Sequence, residues 1–190
     1  MRNVVLLLVV LGFPFFWYVA MVFYPVQFIR DEVPYPGKVI DAETGDPIAG
    51  VVVLAAWYRH FPTPAGGMQR FYDAHEVVTD ANGDYTMPSM GLRFLSTLGP
   101  PQFLFFKVGY EYLGPYRWDT FKEGLILSQK IKWEGEKAII PLRKLTLEGR
   151  KKRLIGRVVG IPHHKQRLLI RELNKERIEL GRRDLYEEPK

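Results

Sequence analysis

The sequence predicts a mainly β chain: an antiparallel β-sandwich with long aromatic-rich loops, behind one transmembrane helix and ahead of a helical basic tail. Three observations predict it. Short β-branched and apolar runs recur through residues 37–142, punctuated by Gly, Asn, Asp and Pro, with no long helical pattern between them. Val4 to Tyr24 is an uncharged run of 21 residues. The charge is split, with 12 Lys/Arg against 14 Asp/Glu in residues 1–142 and 15 against 7 in residues 143–190. The organisation that follows is an anchor over 1–29, a Pro-containing linker over 30–36, a sandwich over 37–142 and a helical tail over 143–190.

The apolar run would span about 30 Å as a helix, roughly the hydrocarbon thickness of a bilayer. Trp17 and Tyr18 suit a headgroup layer. A cleaved signal sequence is the alternative, but Ala20 is preceded two positions earlier by bulky Tyr18, so the small-residue cleavage pattern is missing. Arg2 lies on one side of the run; Arg30, Asp31 and Glu32 lie on the other. That bias places the N-terminus in the cytoplasm and the domain on the extracytoplasmic, periplasmic side of the cytoplasmic membrane.

The body begins with a short strand, Lys38 to Asp41, and a turn through Thr44-Gly45-Asp46-Pro47. Val51 to Trp57 is a continuous apolar run, the mark of a buried strand. Glu76 to Thr79 and Asp84 to Met87 flank Asn82-Gly83 and predict a hairpin. Phe103 to Val108 and Ala138 to Leu142 complete the strands. The connections 58–75, 88–102 and 110–137 are long for a compact sandwich. They carry Phe61, Phe71, Tyr72, Phe94, Tyr112, Tyr116, Trp118, Phe121 and Trp133, and are expected to fold over the sandwich or to present a binding face.

Two patterns are specific. G-x-V-x-D-x-x-T-G-x-P-I-x-G-x-x-V runs from Gly37 to Val53, and T-D-x-x-G-x-Y-x-x-P runs from Thr79 to Pro88. With the Gly109-Tyr110 pair and the closing run Ile139 to Leu142, residues 36–142 resemble the carboxypeptidase regulatory-like domain. The resemblance implies a transthyretin-like, seven-stranded sandwich that serves as an accessory module. It carries no peptidase activity, since no histidine here opens an H-x-x-E pair.

In the tail, Thr146 to Val159 is a candidate helix with Thr146 as its cap, weakened by Gly149 and Gly156. Pro162 to Leu180 is a stronger one, with Leu169, Leu173 and Leu180 on one narrow face. Glu172 and Glu176 repel at i,i+4. The run Arg150-Lys-Lys-Arg153 attracts phosphate-rich partners, though an extracytoplasmic address argues against specific nucleic acid.

Candidate chemistry is sparse. The chain has no cysteine, which excludes disulfides and thiol catalysis. No Gly-rich phosphate loop and no G-x-S-x-G elbow occurs. Asp80, Asn82 and Asp84 alternate like a calcium loop but lack its glycine and glutamate spacing. His60, His75 and Glu76 form the metal candidate, on a loop able to fold back. Trp57, Tyr58, Trp118 and Trp133 form the binding candidate, since aromatic rings anchor interfaces. The expected function is therefore a membrane-anchored, extracytoplasmic, non-catalytic accessory protein without a cofactor. It engages a protein partner through aromatic loops and the C-terminal helix. The alternatives are a carbohydrate-binding module of the cell envelope and a metal-dependent enzyme.

Overall fold

A computed structural model describes residues 27–30, 32–63, 66–122, 131–153, 156–183 and 186–187. The apolar run Val4 to Tyr24 lies outside the described residues. No helix among those described is long and apolar enough to cross a membrane.

Ten strands are described: β1 (Gln27–Arg30), β2 (Tyr35–Asp41), β3 (Val52–Thr63), β4 (Gly66–Val78), β5 (Asp84–Met87), β6 (Arg93–Ser96), β7 (Gln102–Phe106), β8 (Leu113–Arg117), β9 (Lys132–Glu134) and β10 (Lys137–Leu142). Three α-helices accompany them: α1 (Trp118–Lys122), α2 (Leu147–Lys152) and α3 (Arg167–Glu179), with a 3-10 turn at His163–Lys165. One sheet has the order β5-β2-β10-β9, a second β4-β3-β7-β8, and β1 pairs with β6 in a two-stranded ribbon. The chain is thus mainly β, with two mostly antiparallel sheets facing each other. The exception is β10, which runs parallel to β2.

Strand β3 explains the layering. Its residues alternate between faces with period two. Val53, Ala55 and Trp57 turn inward to meet Phe103 and Phe105 of β7 and the facing sheet's Val39, Tyr85, Met87, Ala138, Ile140 and Leu142. Val52, Leu54 and Ala56 turn outward with Leu104 and Phe106, and there Ile161, Leu169 and Leu173 cover them. Helix α3 is therefore a third layer over the second sheet. A strand buried on both faces reads as an unbroken apolar run, as Val51 to Trp57 does.

The two sequence patterns interlock. Asp41 Oδ1 accepts the amides of Glu43 at 2.8 Å and Thr44 at 3.3 Å, which closes the first turn. The buried Thr79 hydroxyl accepts the Val51 amide at 2.9 Å and donates to the Ile48 carbonyl at 2.7 Å. A Cβ on Gly37 would collide with the phenol end of Tyr85, so a residue of the first pattern makes room for one of the second.

Four expectations are corrected. Asn82-Gly83 does not close a hairpin, because β4 pairs with β3 while β5 pairs with β2. The turn is a corner between the two sheets. Asp80 Oδ1 holds it through the amides of Asn82 at 2.8 Å and Asp84 at 2.9 Å. Residues 58–75 are mostly strand, the outer half of a long β3–β4 ribbon that takes a bulge at Trp57/Tyr58. The tail helices are shorter than expected. Thr146 Oγ1 caps α2 through the Gly149 amide at 3.2 Å, yet the helix stops at Lys152. The segment from Pro162 is 3-10 until α3 begins at Arg167. At the other end, Glu32 is buried and β2 starts at Tyr35, so residues expected as linker belong to the fold.

Gly45 and Gly83 both have positive φ, at 79° and 74°. A Cβ on Gly45 meets nothing, whereas one on Gly83 would lie 2.5 Å from the Val39 carbonyl oxygen. Gly45→Ala is expected to cost about 1–2 kcal/mol from the backbone conformation alone. Gly83→Ala adds an overpacking term of about 1–3 kcal/mol. Urea unfolding of the two variants checks this; equal losses would contradict the account of the corner.

Candidate functional site

The structure separates the proposed metal ligands. His75 and Glu76 are consecutive on β4 and so project to opposite faces. The His75 ring stands edge-on to Trp57, with centroids 5.6 Å apart. The Glu76 carboxylate is engaged on the other face, where Oε2 accepts the Leu168 amide at 2.9 Å and Oε1 the Leu169 amide at 2.8 Å. It thereby caps the first turn of α3 from outside the helix. Burial pushes the Glu76 carboxyl above its ordinary value, against the pull of those amides. The His60 ring lies against Gly99, and burial together with nearby Arg117 lowers its pKa. No group of three or more His, Asp or Glu able to hold a metal ion occurs among the described residues.

The aromatic candidates are largely core. Trp57 is fully buried, and its indole N–H donates to Glu32 Oε2 at 3.3 Å. Trp118 is buried against Tyr35 and Phe103, with centroids at 5.1 and 4.6 Å. Trp133 stands edge-on to Trp118 at 5.4 Å and packs partly buried on the same core. Tyr58 is half-buried, edge-on to Phe71 at 6.1 Å. Trp57, Trp118 and Trp133 fill the sandwich, Tyr58 packs on the outer cluster with Phe71, and neither Trp57 nor Trp118 offers a face to a ligand. For Trp57 the sequence signal is the unbroken apolar run Val51 to Trp57, which marks a strand buried on both faces; for Tyr58, a segment 58–75 read as a loop has no faces to alternate between.

The exposed apolar side chains lie elsewhere. Phe61 and Met68, 40% and 58% exposed, are cross-strand partners on the outer half of the β3–β4 ribbon. Tyr72 is 42% exposed, with the Arg59 guanidinium 4.5 Å over its ring. Phe94, on β6, is 67% exposed. Beyond β6, the Thr97 carbonyl accepts the His60 amide at 3.0 Å and Leu98 bridges Arg59. This end of the molecule thus combines apolar side chains with Arg59 and Arg70, which oppose each other across the ribbon. Phe61, Tyr72 and Phe94 are visible in the sequence as loop aromatics. Met68, Arg59 and Arg70 join them only through the register.

A second polar cluster fastens α3 to the sandwich. Glu176 accepts the Gly109 amide at 3.2 Å, Arg150 at 3.0 and 2.7 Å and Arg153 at 3.1 Å. Glu172 accepts the Val108 amide at 3.2 Å and pairs with Lys175 at 2.9 Å. The expected Glu172–Glu176 repulsion is therefore offset separately at each carboxylate. Half of the basic run that was expected to meet phosphate is turned inward: Arg150 and Arg153 hold Glu176, and Arg153 also donates to the Tyr110 carbonyl. Lys151 and Lys152 remain exposed. Burial pushes the Glu176 carboxyl up, but the Arg150 and Gly109 bonds and the two arginine charges outweigh it and hold it below its ordinary value.

No family model matches the sequence, and no curated protein matches it. Among solved structures, 3-chlorocatechol 1,2-dioxygenase from Rhodococcus opacus 1CP is similar at a TM-score of 0.33 and 16% identity, over 60% of this chain and 61% of that one. The chain spans about three fifths of that enzyme.

Because the folded-state pKa of Glu176 is lowered, the stability it contributes is complete above the ordinary glutamate value of about 4.3 and is lost as the pH falls through the folded value. Glu176→Gln is expected to cost about 3 kcal/mol near neutrality, and urea unfolding should show that gap narrowing as the pH falls below the ordinary glutamate range. A gap independent of pH would contradict it. Trp118→Ala is expected to cost about 3–5 kcal/mol of stability as a core truncation, read by thermal unfolding. An unchanged melting temperature would show that this ring is not core.

Proposed function

We propose that this chain is a membrane-anchored, extracytoplasmic, non-catalytic accessory module that holds a protein partner. The observation that carries this reading is where the polar groups go. Glu76, Glu172 and Glu176 are bonded to backbone amides, and Glu172 and Glu176 also to cationic side chains, inside the fold. Asp73 is paired with Lys165 at 2.6 Å, and Thr79 is locked between Ile48 and Val51. The groups most able to do acid–base or metal chemistry thus serve as fastenings of the scaffold. The resemblance of residues 36–142 to the carboxypeptidase regulatory-like domain, an accessory module, agrees with this. The uncharged run Val4 to Tyr24 and the arginine on its N-terminal side support the anchor and its direction.

The partner surface in this reading is the outer side of the C-terminal helices, not the buried tryptophans. Leu147 and Ile178 are exposed apolar residues there, beside exposed Lys151, Lys152 and Lys175. Exposed apolar groups with a charged surround suit a protein contact. The carbohydrate reading is not favoured, since Trp57 and Trp118 are closed off from sugar faces.

A photoreactive amino acid at position 178 of the full chain, in its native membrane, tests the proposal, with position 43 as an exposed control outside the two helices. A single protein adduct from 178 and none from 43 is expected. Absence of a protein adduct at 178 would overturn the assignment of this surface.

A further inference from the structure

We infer that the end of the sandwich formed by the outer β3–β4 ribbon and β6 rests on an anionic membrane surface, with Phe61, Met68 and Phe94 entering the headgroup layer. This rests on the proposed reading of Val4 to Tyr24 as a membrane anchor. The first argument is one of reach. Only Pro25 and Val26 separate the apolar run from Gln27, where β1 begins. Three Cα steps cover at most about 11 Å. A span ending at Tyr24 therefore holds the start of β1 close to the bilayer surface. Gln27 is paired with Ser96. The next residue, Thr97, bonds to His60, and Leu98 bridges Arg59. The start of β1 thus lies beside the outer ribbon, and the short connection brings this end of the sandwich to the lipid.

The second argument is chemical. The side chains gathered there are those of an interfacial surface: exposed phenylalanine, methionine and tyrosine beside arginine. Arg59 and Arg70 are both exposed and face each other across the ribbon. Like charges in that relation repel. No acidic residue occurs in the ribbon from Tyr58 to Tyr72, and the Tyr72 ring under Arg59 leaves its positive charge in place; an external anion relieves the repulsion. A layer of phosphate headgroups supplies anions at many positions and accepts the neighbouring apolar groups as well. The two requirements, apolar depth and repeated negative charge, are met together by anionic lipid.

The chain has no cysteine, so single-cysteine labelling is clean. The full chain carrying Met68→Cys, Phe94→Cys or, as control, Val159→Cys is labelled with an environment-sensitive fluorophore. Val159 is 88% exposed, on the loop before α3. Each variant is placed in vesicles of phosphatidylcholine with or without phosphatidylglycerol, containing a lipid quencher at headgroup depth. Quenching at 68 and 94, none at 159, and quenching at 68 at least about two-fold stronger with phosphatidylglycerol is the expected result. Arg59→Gln with Arg70→Gln is expected to remove that difference. Flotation after alkaline carbonate treatment reports the anchor independently. A chain that floats yet is not quenched at 68 and 94, or is quenched equally at 159, overturns the inference and leaves the anchor standing. Equal quenching with and without phosphatidylglycerol overturns the choice of anionic lipid. A chain that does not float overturns the anchor and the inference with it. In native membranes, a protein adduct from a photoreactive residue at 68, in place of lipid, would assign the same face to a protein and also overturn the inference.

Discussion

Strand β3 carries apolar side chains on both faces, and the rest of the molecule is arranged around that constraint. One face needs an opposing sheet, which β2, β5 and β10 provide. The other needs a cover, which a sheet edge cannot supply. Helix α3 is that cover, with Leu169 and Leu173 on Val52, Leu54, Leu104 and Phe106. Each fully buried leucine contributes about 1.5–3 kcal/mol, but a stripe this narrow leaves the helix free to slide or rotate. Carboxylates set its position. Glu76 reaches up from the sheet to the first turn of α3, and Glu172 and Glu176 reach down from α3 to the loop after β7. The helix is latched from both partners.

The latches also account for the basic tail. A buried carboxylate is tolerable only when paired and hydrogen-bonded. Glu176 is held by two arginines from the segment between the last strand and α3. That ties α2 to α3 and both to the sandwich, so the tail is part of the domain. Its net charge describes its remaining exposed lysines and arginines better than it describes an intended ligand.

The distribution of aromatic residues carries a related lesson. Trp57 and Trp118 are large enough to close the gap between two sheets, and they do so. Among the described residues the exposed rings lie on the ribbon, on β6 and on β8; on the ribbon, β3 and β4 run on beyond the facing sheet and have no second layer to cover them. Exposure here follows from strand length and not from residue type. A long hairpin whose outer half outruns the sandwich is also where the proposed membrane-facing surface lies.

Much of the β architecture was determined by the sequence itself. The apolar run Val51 to Trp57, the Asp41 turn, the Gly83 turn and the Thr146 cap are local signals, each depending on side chains within a few residues of one another. Which strands pair was decided only in three dimensions. The Asn82-Gly83 turn has the same local chemistry whether it closes a hairpin or turns a corner, and the partners waiting for β4 and β5 decide between them. The ribbon over residues 58–75 was hidden for the same reason, since its alternation is interrupted by a bulge and by proline and glycine. Residue type alone points to the metal and aromatic candidates, whereas strand alternation sets His75 and Glu76 apart and burial removes Trp57 and Trp118. Residue type and spacing are properties of the chain. Which face a side chain occupies, and what covers that face, depend on contacts between residues far apart in sequence, such as Glu76 with Leu169.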